Sequence, residues 1–495
     1  MPHDFLSDFL AKLQDAGELV RIAAPVDAAL ELAAITDRMS RSSEGGGPAL
    51  FFENVKNSPI PVVTNLLGSR RRLCLALGVD SLDQASAMMD RLLNGESSLG
   101  WLDALKLTAP VSPSHRFAPR VIKTAVCQQV VKLGRDVNLW DLPIPRCWPD
   151  ESNPTLTAAQ ILTRHPITGA EHWGSHSLQV IGPREIVPHW HRQHEGYRHW
   201  LTAVRERKQL PVAMSLGGDP LLALSASAPL PAGVDRGLFA GFLRGASLDL
   251  VKGRSVELDV PAGAEIILEG YIDHAAAPVT APPIACGSGH YSLPEELPVI
   301  QVTAITHRAN PVLPVVIAGR PPSEVSWISL ALERLFLPMV QRLIPEVIDW
   351  HQPFAGAGRN LLFVSIRKEF PQQARRVLNA LWGLGHFGQS KLIVVVDADV
   401  HVQREDEIWF AVGSHAHPGR DYIFNEGPTA MDDHAAPVRG IGHAAGIDAT
   451  RKLPDEGHPR AWPLPLQHPD ELIARVRERW SEFGLDRDWR PVGKL

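Results

Sequence analysis

At 495 residues, with 44% hydrophobic side chains, the chain is longer than a single hydrophobic core serves, and two or three domains are expected. A formal net charge of -6, with both signs scattered along the chain, gives no electrostatic reason for nucleic acid or an anionic membrane as partner, which leaves small molecules and other subunits. The N-terminus has no basic region followed by an apolar run, no stretch of about 18 apolar residues occurs, and Cys74, Cys127, Cys147 and Cys286 form no CxxC pair, so a cytoplasmic protein with free thiols is expected.

Phe5, Phe9, Leu10 and Leu13 recur at helical spacing and stop at Gly17, and Leu50, Phe51 and Phe52 open a short apolar run, which predicts a small α/β unit in the first hundred residues. A helix-rich stretch follows from Leu82 to Leu105. From about Pro110 the pattern changes: Val121 to Val131 and Thr157 to Ile181 alternate, with a turn at Pro166, Ile167, Thr168 and Gly169. Further strands are expected at Pro211 to Leu216, Ser255 to Val260, Glu265 to Leu268 and Pro298 to Ile305, making the middle region a mixed antiparallel sheet or split barrel. Ser323 to Leu343 reads as a helix, Leu361 to Ile366 as a buried strand, Pro371 to Leu384 as a helix and Leu392 to Val396 as a second buried strand, a βαβ unit with a parallel sheet. The Ser323 helix is apolar over more than a narrow stripe, which predicts that part of it meets another chain. The last helix, Asp470 to Phe483, gathers Leu472, Ile473, Val476, Trp480 and Phe483 on one side.

Six segments occur in an order that resembles the UbiD family of flavin-dependent decarboxylases: Asp141 to Asp150, Leu210 to Pro220, Phe239 to Gly245, Val260 to Ile272, Ala318 to Glu324 and Gly446 to Pro454. The resemblance covers roughly residues 120 to 455. It implies an α/β chain in three parts: an N-terminal α/β unit (1–115), a central β-rich split-barrel domain like the flavin reductases (116–310) that holds prenylated FMN, and a C-terminal α/β domain (311–495) used for oligomerisation. It also implies a non-oxidative carboxy-lyase acting on a small aromatic, heteroaromatic or α,β-unsaturated acid, at least a homodimer. Loss of CO2 leaves a carbanion, for which the flavin is the electron sink.

The family's arginine, two acids and metal ligands are largely replaced. Its Asn-x4-Arg segment matches His172 to Ser177, putting His172 at the metal-binding asparagine and Ser177 at the arginine. Its paired acids match Ala281 and Cys286, and Arg236 stands where a metal-binding glutamate is expected. Ser175, His176, Ser227 and Lys391 match cofactor-side positions. Arg236 could neutralise a phosphate in the metal's place, or could form only a surface ion pair with neighbouring Asp235 or another acid.

His172, His176, His189, His191, His194 and His199 fall within one short segment; His172 and His191 are candidate metal ligands, although a His-rich loop beside Trp190, Tyr197 and Trp200 can equally be plain polar surface. Cys286 and His290 are candidates for a thiol–imidazole pair, and His386, in a glycine-flanked turn, for substrate contact. Two functions compete: a reversible carboxy-lyase with an altered flavin site and a possible divalent metal, or a diverged homologue that has lost prenylated FMN and uses metal or His/Cys chemistry or serves as a non-catalytic partner subunit.

Overall fold

The computed structural model describes residues 4–42, 45–93, 117–230, 234–385, 387–431, 433–464, 466 and 468–484. The chain divides into a large unit, Met1–Glu369 with Gln373–Thr450, and a small one, Phe370–Gln372 with Arg451–Leu495.

The first helix, Leu6–Asp15, buries Leu6, Phe9, Leu10 and Leu13 and ends before Gly17, whose φ of +71° suits a residue without a Cβ. The strand Ala49–Phe52 runs parallel to Leu19–Ile22 and antiparallel to Val62–Thr64. A fourth strand, Leu313–Val315, completes this sheet from far along the chain. The predicted helical stretch appears as Asp83–Leu93; its remainder lies outside the described residues.

Six antiparallel strands form a closed barrel in the order Ile266–Ile272, Leu210–Leu216, Thr155–Arg164, Glu171–Gly182, Glu185–Pro188 and Ile300–His307, the last pairing back onto the first. Ala159, Ile161, Leu178, Val180, Met214 and Leu268 fill the interior. Alternate residues such as Leu162, Trp173, Ala213 and Ile267 pack outside it against Leu222 and Ala240. Two expected strands are shorter than their alternation suggests. Val121 to Val131 is broken by a tight turn at Val126–Gln128 that buries Cys127 completely. Only Asp259–Pro261 survives of Ser255 to Val260, because the buried Glu269 carboxylate accepts the backbone N–H groups of Arg254, Ser255 and Val256 and so holds that stretch as a loop.

The C-terminal sheet has the order Val347–His351, Leu361–Ile366, Leu392–Asp397, Ile441–Asp448 and Tyr422–Pro428, with a parallel centre and antiparallel edges. The helix Glu324–Leu343 packs Leu330, Leu335 and Phe336 into the core shared with the N-terminal helices, and Val340 into the core under the C-terminal sheet. Most of its apolar surface is thus used inside its own chain, while Val325 and Leu343 stay exposed. In the small unit, Asp470–Glu478 is helical, a 3-10 turn covers Trp480–Phe483, and no residue of either is buried. All four cysteines are free. No helix among the described residues is long and apolar enough to cross a membrane.

Candidate functional site

Strand alternation puts His172, Gly174 and His176 on one face of Glu171–Gly182, and leaves Ser175 exposed on the other. A Cβ on Gly174 would lie 2.5 Å from His176 Nε2 and 2.9 Å from His172 Nε2, so both imidazoles lean over the bare glycine. The Nδ1 of His172 meets Glu195 Oε2 at 3.0 Å, and this hydrogen bond holds the Glu195 carboxyl below its ordinary range. Glu195 opens the helix Glu195–Glu206, with His194 as its N-cap residue. His194 Nδ1 accepts the backbone N–H of His191 at 3.0 Å, and the His176 and His194 rings are 4.6 Å apart. His199 Nδ1 meets Thr163 Oγ1 at 2.9 Å.

This cluster is interior rather than polar surface: Trp190, Tyr197 and Trp200 join the barrel core, and His199 is buried with them. Burial, reinforced by neighbouring imidazoles, pushes His189 down to about 4, His194 to about 3 and His199 to about 4, and His176 well below its usual value. They stand as neutral rings that offer N–H groups without charge.

Arg236 begins the helix Arg236–Arg244, which Asp235 caps by accepting the N–H groups of Gly237 and Leu238. Asp235 is thus occupied as a cap, and the surface ion pair expected between it and Arg236 does not form. Arg236 Nη1 instead donates to the carbonyls of Ser225, Ala226 and Ala228 at 2.8, 3.4 and 2.8 Å, beside the half-buried Ser227. Burial lowers the Arg236 pKa, and the Glu195 carboxylate opposes that shift.

From the C-terminal side, Lys391 is ion-paired with the buried Asp433, and the Gln389 amide donates to Gln193. Glu295 Oε2 lies 2.9 Å from Arg439 Nη2 and 3.6 Å from His191 Nδ1. Ser288 Oγ meets His434 Nε2 at 3.4 Å, and the His290 and His434 rings are 4.9 Å apart. Cys286 Sγ donates to the Ile284 carbonyl at 3.8 Å, the Cys286 backbone N–H donates to the His290 carbonyl at 2.9 Å, and His290 Nδ1 faces the Ser288 carbonyl at 3.3 Å. Ser177 is half-buried, and its carbonyl accepts the His189 N–H at 3.0 Å. His386 lies outside the described residues.

His172 and His191 each take a separate carboxylate, and among the described residues no three His, Cys, Asp or Glu side chains converge to hold a metal ion. Sequence reasoning missed Glu195, Glu295, Asp433, His434 and Arg439. Only Glu195 left a trace, as an acid opening a helical period directly after the histidines. A cavity with about 460 Å³ of empty space, mouth included, lies apart from these residues. It is lined by Gln160, Asp219, Val316, Glu324 and Ile328 among others; burial raises Asp219 to about 6 and Glu324 to about 7.

Comparison with known proteins gives three consecutive matches, all to models of 3-octaprenyl-4-hydroxybenzoate carboxy-lyase domains: the N-terminal domain over residues 10–92, the Rift-related domain over 120–321 and the C-terminal domain over 326–449. An uncharacterised protein of Aquifex aeolicus is 39% identical over 481 residues, 97% of this chain and 99% of that one. Among solved structures, vanillic acid decarboxylase of Sedimentibacter hydroxybenzoicus in its closed form is 26% identical with a TM-score of 0.86, covering 97% of this chain and 99% of that one. The UbiD-class enzyme HmfF of Pelotomaculum thermopropionicum, solved with FMN, is 27% identical with a TM-score of 0.76, covering 92% and 97%.

Proposed function

Because this chain belongs to the UbiD family of carboxy-lyases, we propose that it is a flavin-assisted, non-oxidative (de)carboxylase of a small aromatic, heteroaromatic or α,β-unsaturated carboxylic acid. The observation that carries this reading is the Arg236 guanidinium, held on three carbonyls by one nitrogen, with Ser227 beside it and the neutral His176 imidazole in electrostatic reach. That donor set fits the phosphate of a flavin mononucleotide. It does not fit a divalent cation, since Arg236 brings a positive charge of its own and His172 is committed to Glu195.

When bound, a prenylated flavin supplies the electron sink for the carbanion left by CO2. Arg236 and Ser227 would hold its phosphate, joined by Lys391 once that side chain leaves Asp433. The positions of the family's arginine and acids carry Ser177, Ala281 and Cys286, so a proton for the substrate carbon must come from elsewhere. The neighbouring His290 and His434 are the groups on that side able to carry one. We further infer a homodimer through the exposed apolar side chains Trp409, Phe410, Phe424 and Ile441 of the C-terminal region.

The loss of all three charged positions favours a second reading, a non-catalytic partner subunit of an active relative. Coexpression with a flavin prenyltransferase separates them. A yellow protein carrying stoichiometric flavin by mass, which exchanges solvent deuterium into an aryl or acrylic acid, supports the carboxy-lyase; a colourless protein that refuses flavin sinks it.

A further inference from the structure

We propose that the Arg236 guanidinium is a built-in cation that takes the place of the metal ion implied by the family resemblance, so that this end of the helix Arg236–Arg244 binds a phosphate group without any metal. The identity of the phosphate's owner rests on the flavin reading above; the assignment of the cation does not.

Three carbonyl oxygens, from Ser225, Ala226 and Ala228, gather within 2.8 to 3.4 Å of a single nitrogen. A ring of carbonyls around one point is the arrangement by which backbones replace the hydration shell of a monovalent cation. These carbonyls also close the helix Leu221–Ser227, whose C-terminal end carries partial negative charge. Here the point is filled by Arg236 Nη1. The Ser225 hydroxyl, in turn, donates to the Arg236 carbonyl at 2.6 Å, which fixes the start of the arginine's helix against the ring.

Only one of the three guanidinium nitrogens is spent in this way. Nη2 and Nε have no hydrogen-bond acceptor among the described residues, and together they form the planar fork that grips an anion through two parallel hydrogen bonds. The nearby Glu195 carboxylate does not claim them, because its partner is His172 Nδ1. The buried His176 beside it adds an N–H donor but no charge, so the charge for an anion here comes from Arg236. A divalent ion brought to the same place would meet a guanidinium where it needs a carboxylate.

The test uses the full chain, freed of bound flavin, with FMN and inorganic phosphate as separate probes in calorimetric titrations. We expect both dissociation constants to be the same with EDTA as with added Mn2+. Arg236→Gln, whose amide can still donate to the carbonyl ring, should weaken both by about tenfold or more through loss of the charge. In Arg236→Ala the empty ring should accept potassium or guanidinium, so either ion, but not tetramethylammonium, should restore binding several-fold. Thermal melts of each variant establish that it is folded. Binding that vanishes in EDTA and returns with Mn2+, an Arg236→Gln protein with wild-type affinity, or a folded Arg236→Ala protein rescued by neither ion would overturn the proposal. Phosphate binding that depends on Arg236 while FMN fails to bind would keep the proposal and defeat the flavin reading; binding of neither probe would overturn it.

Discussion

Glu295 and Arg439, separated by 144 residues, meet at 2.9 Å and tie the short strand Glu295–Leu297 to the C-terminal region, with His191 drawn to the same carboxylate oxygen at 3.6 Å. The ion pair is only partly exposed and is reinforced by the Ser288–His434 contact. Arg439→Ala should therefore loosen both sides at once. Amide hydrogen exchange should accelerate several-fold in residues 433–441 and 284–297 together, with the barrel core unchanged. Acceleration on one side only would show that the pair does not couple them.

At Gly174 space, rather than backbone conformation, forbids a side chain. Gly174→Ala would drive a methyl group into the Nε2 atoms of His172 and His176, and both rings are already constrained by neighbours. A destabilisation of about 1–3 kcal/mol is expected, read as a lower urea midpoint at unchanged slope. A neutral effect would mean that the two rings swing aside freely.

The buried histidines make stability depend on pH. His189 and His194, pushed down to about 4 and about 3, take up protons on unfolding, so their contribution is full above pH 6.5 and is lost as pH falls through 6.5 toward those values. Asp219 and Glu324, raised to about 6 and about 7, act in the opposite direction between their ordinary values and those. The clean measurement is therefore a difference. His194→Asn keeps an acceptor for the His191 N–H, and relative to it the wild type should lose up to about 1.4 kcal/mol per pH unit below pH 6.5. Parallel pH profiles of the two proteins would contradict the assignment.

The residues that sequence reasoning could and could not find differ in how their interactions are written. Alternation along Thr155–Arg164 and Glu171–Gly182 is a local pattern, and the hairpin and the barrel were legible from it. The edge strand Tyr422–Pro428 is mostly exposed, so no alternation marks it. The family resemblance located Arg236 and Lys391, but not what they touch: Arg236 binds backbone carbonyls, which have no residue identity to read, and Lys391 binds Asp433, 42 residues away. The histidines were conspicuous, yet their burial depends on Trp190, Tyr197 and Trp200 turning inward, and an aromatic-rich segment reads the same whether it faces the core or water.

Restoring the family's charged groups gives a test by reconstruction. His172→Asn with Arg236→Glu should convert metal-independent binding of FMN into binding that requires Mn2+. Ser177→Arg, Ala281→Glu and Cys286→Glu added to that pair should raise the rate at which a typical aryl acid is decarboxylated at least tenfold over the unaltered protein, measured as CO2 release. An unchanged rate would show that the residues now at those positions already suffice.

Trp409, Phe410 and Phe424 are 44, 73 and 72% exposed on the C-terminal region, large apolar side chains that a second copy could cover. Light scattering at micromolar concentration should give a multiple of the 54.2 kDa chain mass, and Phe410→Glu with Phe424→Glu should bring it back to the single-chain value. A wild-type protein already at the single-chain mass would end the homodimer reading.

The strand Leu313–Val315, paired with Val62–Thr64, sets a timetable for synthesis. The first sheet lacks its edge until about 250 further residues have left the ribosome, which at about 5–20 residues per second is a wait of roughly 12–50 s. During that interval Val62 and Val63, both fully buried in the finished protein, belong to a sheet with an open side. Nascent chains stalled with residue 313 still inside the ribosome should therefore be those that chaperones hold and proteases cut near the first sheet, while chains from which residue 315 has emerged should resist.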